Sequence, residues 1–353
     1  MGPLWVARAT ASRGTAARDE LARLEGMHHV WGDPMSYRRL TRFVVAPDGS
    51  RIAYHTHHGK LPSETFLQEM AGWPPVLLTN GIGSSENFWR HIVANLEQDH
   101  RVVHWNYRGH GESGDSLSGD YGIPTHVEDL ERVTETMMAE GNGRAPHHIA
   151  FSMGVRVVLE LYRRRPELVP AMTLIAGPAG ATGGQDARWT GRLGQGALKQ
   201  VLRAATPLVP LASPAVRMFL GSPLAYSVGR LTGALRARAP REDIQELFVA
   251  VRQMNPTAYW RTLQGLLEGD AWDVLSTVKV PVQLIAAAND QLVPLREMQR
   301  MRRQLPHAHW LLVEDAGHAG LVEAGDEIAD AVRTFLVDHC LEPSAGPARP
   351  DAP

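Results

Sequence analysis

The chain is 353 residues long, 44 % apolar, and carries a formal net charge of −2. That length suits one large α/β domain with an insertion, or two small domains, and the spread of arginines along a near-neutral chain lacks the clustered basic excess of a nucleic-acid binder. A single cysteine, Cys340, excludes an internal disulfide, so folding needs no oxidising compartment.

Residues 1–36 read as a loose extension. The first 26 positions hold Arg8, Arg13 and Arg18 but no apolar stretch long enough for a secretory signal, and Met27 or Met35 is an alternative start. No run approaches the length of a membrane span, so a cytoplasmic protein is expected. Thr41 to Val45 reads as a strand, Asp48-Gly49 as a hairpin turn and Arg51 to His55 as the partner strand. Short, continuous apolar runs follow at Pro75–Thr79, Arg101–Trp105, His147–Phe151, Ala171–Ile175, Val280–Ala287 and Trp310–Val313. Strands buried on both faces of a parallel sheet have this composition. Between them lie helical patterns over Glu86–Leu96, Thr125–Ala139, Met153–Arg164, Arg296–Gln304 and Asp326–His339. The alternation predicts an α/β fold with a mostly parallel central sheet flanked by helices and opened by a hairpin.

Residues 181–273 break the rhythm. They contain no convincing strand and are punctuated by Pro207, Pro210, Pro214, Pro223 and Pro240, which predicts a helical cap inserted between core segments 37–180 and 274–341. Its large apolar residues, Trp189, Met218, Phe219, Leu220, Tyr226, Tyr259 and Trp260, are expected to pack the cap on the core, with a minority lining a substrate cavity. The apolar stretch Ala197–Leu220 is a candidate lid with weak affinity for a lipid interface. The Pro/Ala-rich tail 342–353 reads as disordered. Cys340, at the end of the last predicted helix, reads as an inert packing residue.

Three positions carry candidate chemistry. In Ile149-Ala150-Phe151-Ser152-Met153-Gly154-Val155 an apolar strand runs directly into an amphipathic helix, with a serine at the junction. A serine hydroxyl is a weak nucleophile and needs a fixed, exposed position beside a base. Small residues two before and two after it, here Ala150 and Gly154, let strand and helix approach closely; a helix N-cap serine is the bland alternative. The buried strand Pro281–Ala287 leads to Asp290, at the sheet edge where ligand sites form in open α/β folds. A capping role for the helix near Pro294 is its alternative. His318 lies in Asp315-Ala316-Gly317-His318-Ala319-Gly320, between the last strand and the last helix, where flanking glycines let a loop carry it over the sheet edge. Of the other histidines, His28, His29, His55, His57, His58, His147 and His148 are expected at the surface or at strand edges. There is no H-E-x-x-H and no cysteine cluster, so no metal site is predicted. The glycine-rich turn Asn80-Gly81-Ile82-Gly83-Ser84-Ser85 follows a buried strand, and the backbone N–H groups of Ile82 and Met153 are the candidate oxyanion donors.

Gly109-His110-Gly111-Glu112-Ser113-Gly114 fits G-x-G-x-x-G, but the polar, turn-rich Asp115–Gly122 follows it where a dinucleotide site needs a helix. Instead Asn106-Tyr107-Arg108-Gly109-His110-Gly111-Glu112-Ser113 resembles the D-x-R-G-x-G-x-S stretch of many α/β-hydrolases, with Asn106 in place of the usual aspartate. With the serine junction, the glycine turn, Asp290 and Gly317-His318, the resemblance covers residues 40 to 340, and the order Ser152, Asp290, His318 matches that family.

The resemblance implies a cofactor-free serine hydrolase acting on a carboxylic ester, lactone or related acyl bond of an apolar small-to-medium molecule. Ser152 is then the nucleophile, His318 the base and Asp290 its orienting acid. An acyltransferase or a cofactor-free perhydrolase would use the same triad, and a ligand-binding protein with slow or no turnover is a reading from another class. The natural substrate and the oligomeric state are open at this stage.

Overall fold

In the computed structural model, residues 39–57, 72–84, 86–180, 200, 201, 203–231, 235 and 239–339 are described. The extension 1–36, the tail 342–353, Cys340, Trp189, His28, His29 and His58 lie outside them. A hairpin opens the fold. Strands β1 (Arg39–Val45) and β2 (Arg51–His57) pair antiparallel with Val45 opposite Arg51. Gly49 supplies the positive φ of 87° that the turn needs, and Asp48 Oδ1 accepts the Ser50 N–H at 3.0 Å.

Six more strands complete one sheet: β3 (Pro75–Thr79), β4 (Arg101–Trp105), β5 (His147–Phe151), β6 (Met172–Ile175), β7 (Val282–Ala287) and β8 (His309–Val313). Their spatial order is β1-β2-β4-β3-β5-β6-β7-β8. Strand β2 runs antiparallel to both neighbours, and every pairing from β4 to β8 is parallel. Every residue of β4, β5, β6 and β7 is buried, which explains why their sequences lack the apolar–polar alternation of a half-exposed strand. Edge strand β8 keeps only Val313 fully buried.

The core helices are α1 (Arg90–Leu96), α2 (Ile123–Glu140) and α3 (Met153–Arg164) before the break in rhythm. A 3-10 turn, Glu86–Trp89, leads into α1, so the predicted single helix divides there. Between β6 and β7 come α4 (Val209–Leu220), α5 (Pro223–Leu231), α6 (Arg241–Gln253) and α7 (Pro256–Leu266). After β7 follow α8 (Leu295–Gln304) and α9 (Gly325–His339). Helix α2 packs with α3 and α1 with α9. No single described helix is long and apolar enough to cross a membrane.

Two expectations about side chains fail. Met218 and Phe219 are 75 % and 42 % exposed rather than packed on the core. They lie on α4, which packs against α5, α6 and α7 and has no buried residue. The histidines expected at the surface are interior: His55, His57, His147 and His148 are all buried. The sheet order explains this. Strand β2 pairs with β4, and the rings of His55 and His104 stack there with centroids 4.3 Å apart, while His57 Nε2 lies 2.7 Å from His104 Nδ1. On β5, His147 Nε2 meets Thr173 Oγ1 at 2.9 Å and His148 Nε2 meets the Leu168 carbonyl at 3.0 Å. Burial disfavours their charged forms, pushing His55 and His147 down to about 3 and His148 to about 4.

Candidate active site

The parallel strands aim their C-terminal ends at one sheet edge, and the predicted residues meet there. Ser152 follows β5 directly and precedes α3. Its φ of 54° and ψ of −119° are left-handed territory for a residue with a Cβ, so the chain turns sharply at this point. The turn is held from several sides. The Ser152 N–H donates to the Ile175 carbonyl at 3.0 Å. A Cβ at Gly154 would lie 2.4 Å from the Thr79 carbonyl oxygen and 2.7 Å from that of Asn80, so only glycine lets α3 begin so close to the end of β3. Gly177 does the same on the other flank, where a Cβ would come 2.3 Å from the Ser152 carbonyl oxygen. Ala150 is fully buried.

Ser152 Oγ lies 3.0 Å from His318 Nε2, across 166 residues of sequence. His318 Nδ1 lies 2.8 Å from Asp290 Oδ2. A carboxylate oxygen only accepts, so the proton of the neutral imidazole sits on Nδ1, and Nε2 is left to accept from the serine hydroxyl. Asp290 Oδ1 accepts the backbone N–H groups of Leu292 and Val293, both at 2.8 Å. The aspartate therefore orders the turn before α8 and faces the imidazole at the same time. Its side chain is 1 % exposed and that of His318 is 16 % exposed, so the pair is shielded while the histidine keeps an opening.

The two loops bearing Asp290 and His318 are stitched to each other. The N–H of Asn289 donates to the Ala316 carbonyl at 3.0 Å, and its side-chain amide donates to the Glu314 carbonyl at 2.6 Å. The Gly317 N–H donates to Glu323 Oε2 at 2.6 Å. The His318 ring also packs against Phe151, with centroids 5.2 Å apart. Sequence reading missed Asn289, Glu323 and Phe151 as parts of this assembly. Phe151 could have been found as the residue preceding the serine and Glu323 as a carboxylate five residues after His318, whereas Asn289 carries no local signal, because its partners are backbone atoms of another segment.

The glycine turn after β3 lies against the serine. A Cβ at Gly81 would come 2.9 Å from Ser152 Cβ. Among the described residues, no acceptor takes the N–H of Ile82 or that of Met153. The Asn80 side chain is engaged elsewhere: its amide donates to the Trp105 carbonyl at 3.1 Å and its oxygen accepts from Trp89 Nε1. Gly83, at φ 73°, sits beneath the helices between β6 and β7, since a Cβ there would meet Tyr259 Cε2 at 2.9 Å and Val251 Cγ2 at 3.3 Å. Burial raises the pKa of the Tyr259 phenol, which stays neutral. The Gly109–Gly114 segment is a closed turn. Gly109 N–H donates to Gly114 O at 2.9 Å, and buried Arg108 clamps Asp129 through two bonds, of 2.7 and 2.8 Å. Asn106 Oδ1 accepts the Glu112 N–H at 3.2 Å and lies 2.9 Å from His55 Nε2. Among the described residues, no group of three or more His, Cys, Asp or Glu side chains is placed to hold a metal ion.

A family model described as "alpha/beta hydrolase fold" matches residues 74–324. The chain belongs to the α/β hydrolase fold family. Two relatives of this α/β hydrolase are provisionally named carbamate hydrolase RutD. The one from Stutzerimonas stutzeri is 24 % identical over 272 residues, 77 % of this chain and 95 % of the relative. The one from Caulobacter sp. strain K31 is 25 % identical over 284 residues, 80 % of this chain and 95 % of the relative. Among solved structures, an esterase from Exiguobacterium antarcticum superimposes with a TM-score of 0.66 at 16 % identity, covering 84 % of this chain and all of that one. The enol-lactonase from Burkholderia xenovorans LB400 gives a TM-score of 0.61 at 17 % identity over the same share of this chain. At these identities the structural likeness bears on the fold.

Proposed function

We propose that this α/β hydrolase is a serine hydrolase that cleaves a carboxylic ester or lactone of an apolar small-to-medium molecule through an acyl-enzyme. The observation that carries the reading is the hydrogen-bond chain from Ser152 through His318 to Asp290, at 3.0 and 2.8 Å. As Ser152 Oγ attacks the carbonyl carbon, its proton passes to His318 Nε2. Asp290 stabilises the resulting imidazolium and holds the ring in the productive tautomer. The new oxyanion takes hydrogen bonds from the N–H groups of Ile82 and Met153. Their lack of internal acceptors and the contact of Gly81 with Ser152 support that assignment. The intermediate collapses, His318 protonates the leaving alcohol, and the acyl group stays on Ser152. Water then enters, gives its proton to His318 and attacks the ester carbonyl; collapse of the second intermediate returns the proton to Ser152 and frees the acid. Residues 181–273 act as a cap in this reading, and the contact of Gly83 with Tyr259 and Val251 brings α6 and α7 over the donor turn.

The names of the curated relatives favour a second substrate class, in which the acyl group is a carbamoyl. The same atoms serve it, with an alcohol as the leaving group and a carbamoyl group on Ser152 that water then releases as a carbamic acid. An acyltransferase or perhydrolase differs only in whether an alcohol or peroxide replaces water. The decisive assay compares p-nitrophenyl esters from acetate to long acyl chains with carbamates, using wild type beside Ser152→Ala. Ester turnover that vanishes in the variant supports the primary reading, and turnover confined to carbamates supports the second. Activity that persists in Ser152→Ala refutes the nucleophile. Labelling of wild type by a fluorophosphonate without turnover of any acyl donor points to a ligand-binding protein.

A further inference from the structure

Helices α4 and α5 present an apolar face to solvent. Leu211, Met218, Leu224 and Leu231 are 78 %, 75 %, 65 % and 87 % exposed. Leu211 and Met218 stand seven residues apart, two turns along the same side of α4. Burial cannot explain side chains that touch solvent to this degree, and large apolar side chains exposed together on adjoining helices mark a candidate interaction site. The sequence that carries these side chains is one-sided in charge. From Ala187 to Pro240 the chain has no aspartate or glutamate, and it carries Arg188, Arg192, Lys199, Arg203, Arg217, Arg230, Arg236 and Arg238. The whole chain has a net charge of −2, so a segment of +8 leaves −10 on the remainder. Of the described cations, Arg203 pairs with Glu268 at 2.6 Å and Arg217 donates to the Met254 carbonyl at 3.1 Å, while both remain exposed, as does Arg230.

From this pairing of exposed apolar side chains with carboxylate-free cationic sequence, we propose that the α4–α5 face docks the protein on an anionic phospholipid bilayer. The two segments Arg203–Leu220 and Pro223–Leu231 together have the apolarity of a membrane span, but they are bent by 88°. A right-angled pair suits the interface rather than a crossing: apolar side chains enter the acyl boundary and arginines meet the headgroups. A second copy of the chain fits less well. A self-complementary dimer through this face would set cationic segments against each other, and Glu268, a carboxylate beside them, is already paired with Arg203. The proposal does not depend on the chemistry at Ser152.

The test is co-sedimentation of the full chain with phosphatidylcholine vesicles and with vesicles containing equimolar phosphatidylserine. Partitioning to the anionic vesicles should exceed that to the neutral ones by about tenfold or more and fall as salt screens the charges. Leu211→Glu/Met218→Glu should lose about tenfold in partitioning. Arg217→Gln/Arg230→Gln should lose a similar amount by a separate route. Both variants should keep the wild-type circular dichroism, since the altered side chains are exposed, and the arginine variant should lose only the small thermal stability of the Arg217–Met254 hydrogen bond. Equal partitioning to both vesicle types, or wild-type binding by either folded variant, overturns the proposal. So does a wild-type dimer that Leu211→Glu/Met218→Glu turns into a monomer while vesicle binding is absent, because the face would then belong to a second copy.

Discussion

The buried histidines make the fold sensitive to acid by an amount that can be worked out. His55 and His147 are pushed down from 6.5 to about 3, and His148 to about 4, because burial penalises the imidazolium. In the unfolded chain each returns to its ordinary value of about 6.5. Below that pH the unfolded state binds protons that the folded state refuses. Stability is therefore complete above pH 6.5 and declines as pH falls towards the folded values. The slope is about 1.4 kcal/mol per pH unit for each histidine. Between pH 7.5 and 5.0 each contributes a loss of about 2 kcal/mol, and the three together about 6 kcal/mol, which is comparable with the whole stability of many domains. At pH 5 the result depends mainly on the unfolded value, because the folded values lie about a unit or more lower. Urea unfolding followed by tryptophan fluorescence at the two pH values would measure the loss. His148→Gln keeps a donor for the Leu168 carbonyl and removes the titration. The acid-induced loss in wild type should exceed that in the variant by about 2 kcal/mol. Equal losses in the two proteins would refute the reasoning, since His148 would then not be a neutral buried group whose protonation opposes folding.

Three further outcomes are expected. Asp290→Asn should keep the fold but lower kcat on the best acyl donor by about 10⁴-fold, because the wrong imidazole tautomer is favoured; steady-state kinetics decide it, and a loss below tenfold argues against the orienting role. Glu323→Ala removes the carboxylate that accepts the Gly317 N–H. It should cut kcat about tenfold with KM little changed, as a loss of charge-assisted hydrogen bonding beside His318 would; reduced thermal stability with unchanged kcat would make Glu323 a purely structural residue. Gly154→Ala would force a methyl against the Thr79 and Asn80 carbonyl oxygens. These backbone atoms cannot swing away, so the variant should lose about 3 kcal/mol or fail to fold, whereas a wild-type unfolding midpoint would mean that the junction is looser than the geometry states.

By itself the sequence determined the local elements, because their causes are local. The strand His147–Phe151 and the helix Met153–Arg164 were legible to the residue. A continuous apolar run means burial on both faces, and an amphipathic period means a helix. That Ser152, Asp290 and His318 would meet was legible too, since each follows a strand end and a parallel sheet gathers those ends at one edge. Tertiary structure decided what depends on neighbours distant in sequence. It put β2 beside β4 and so buried His55 and His57, which by composition looked like edge residues. It brought Asn289 to backbone partners on the loop that carries His318, contacts that leave no trace in composition. It also left Met218 and Phe219 facing solvent, where an apolar side chain was expected to find a core. Apolar character expresses a preference for leaving water, and only the packing of the other elements sets whether a surface exists to receive it.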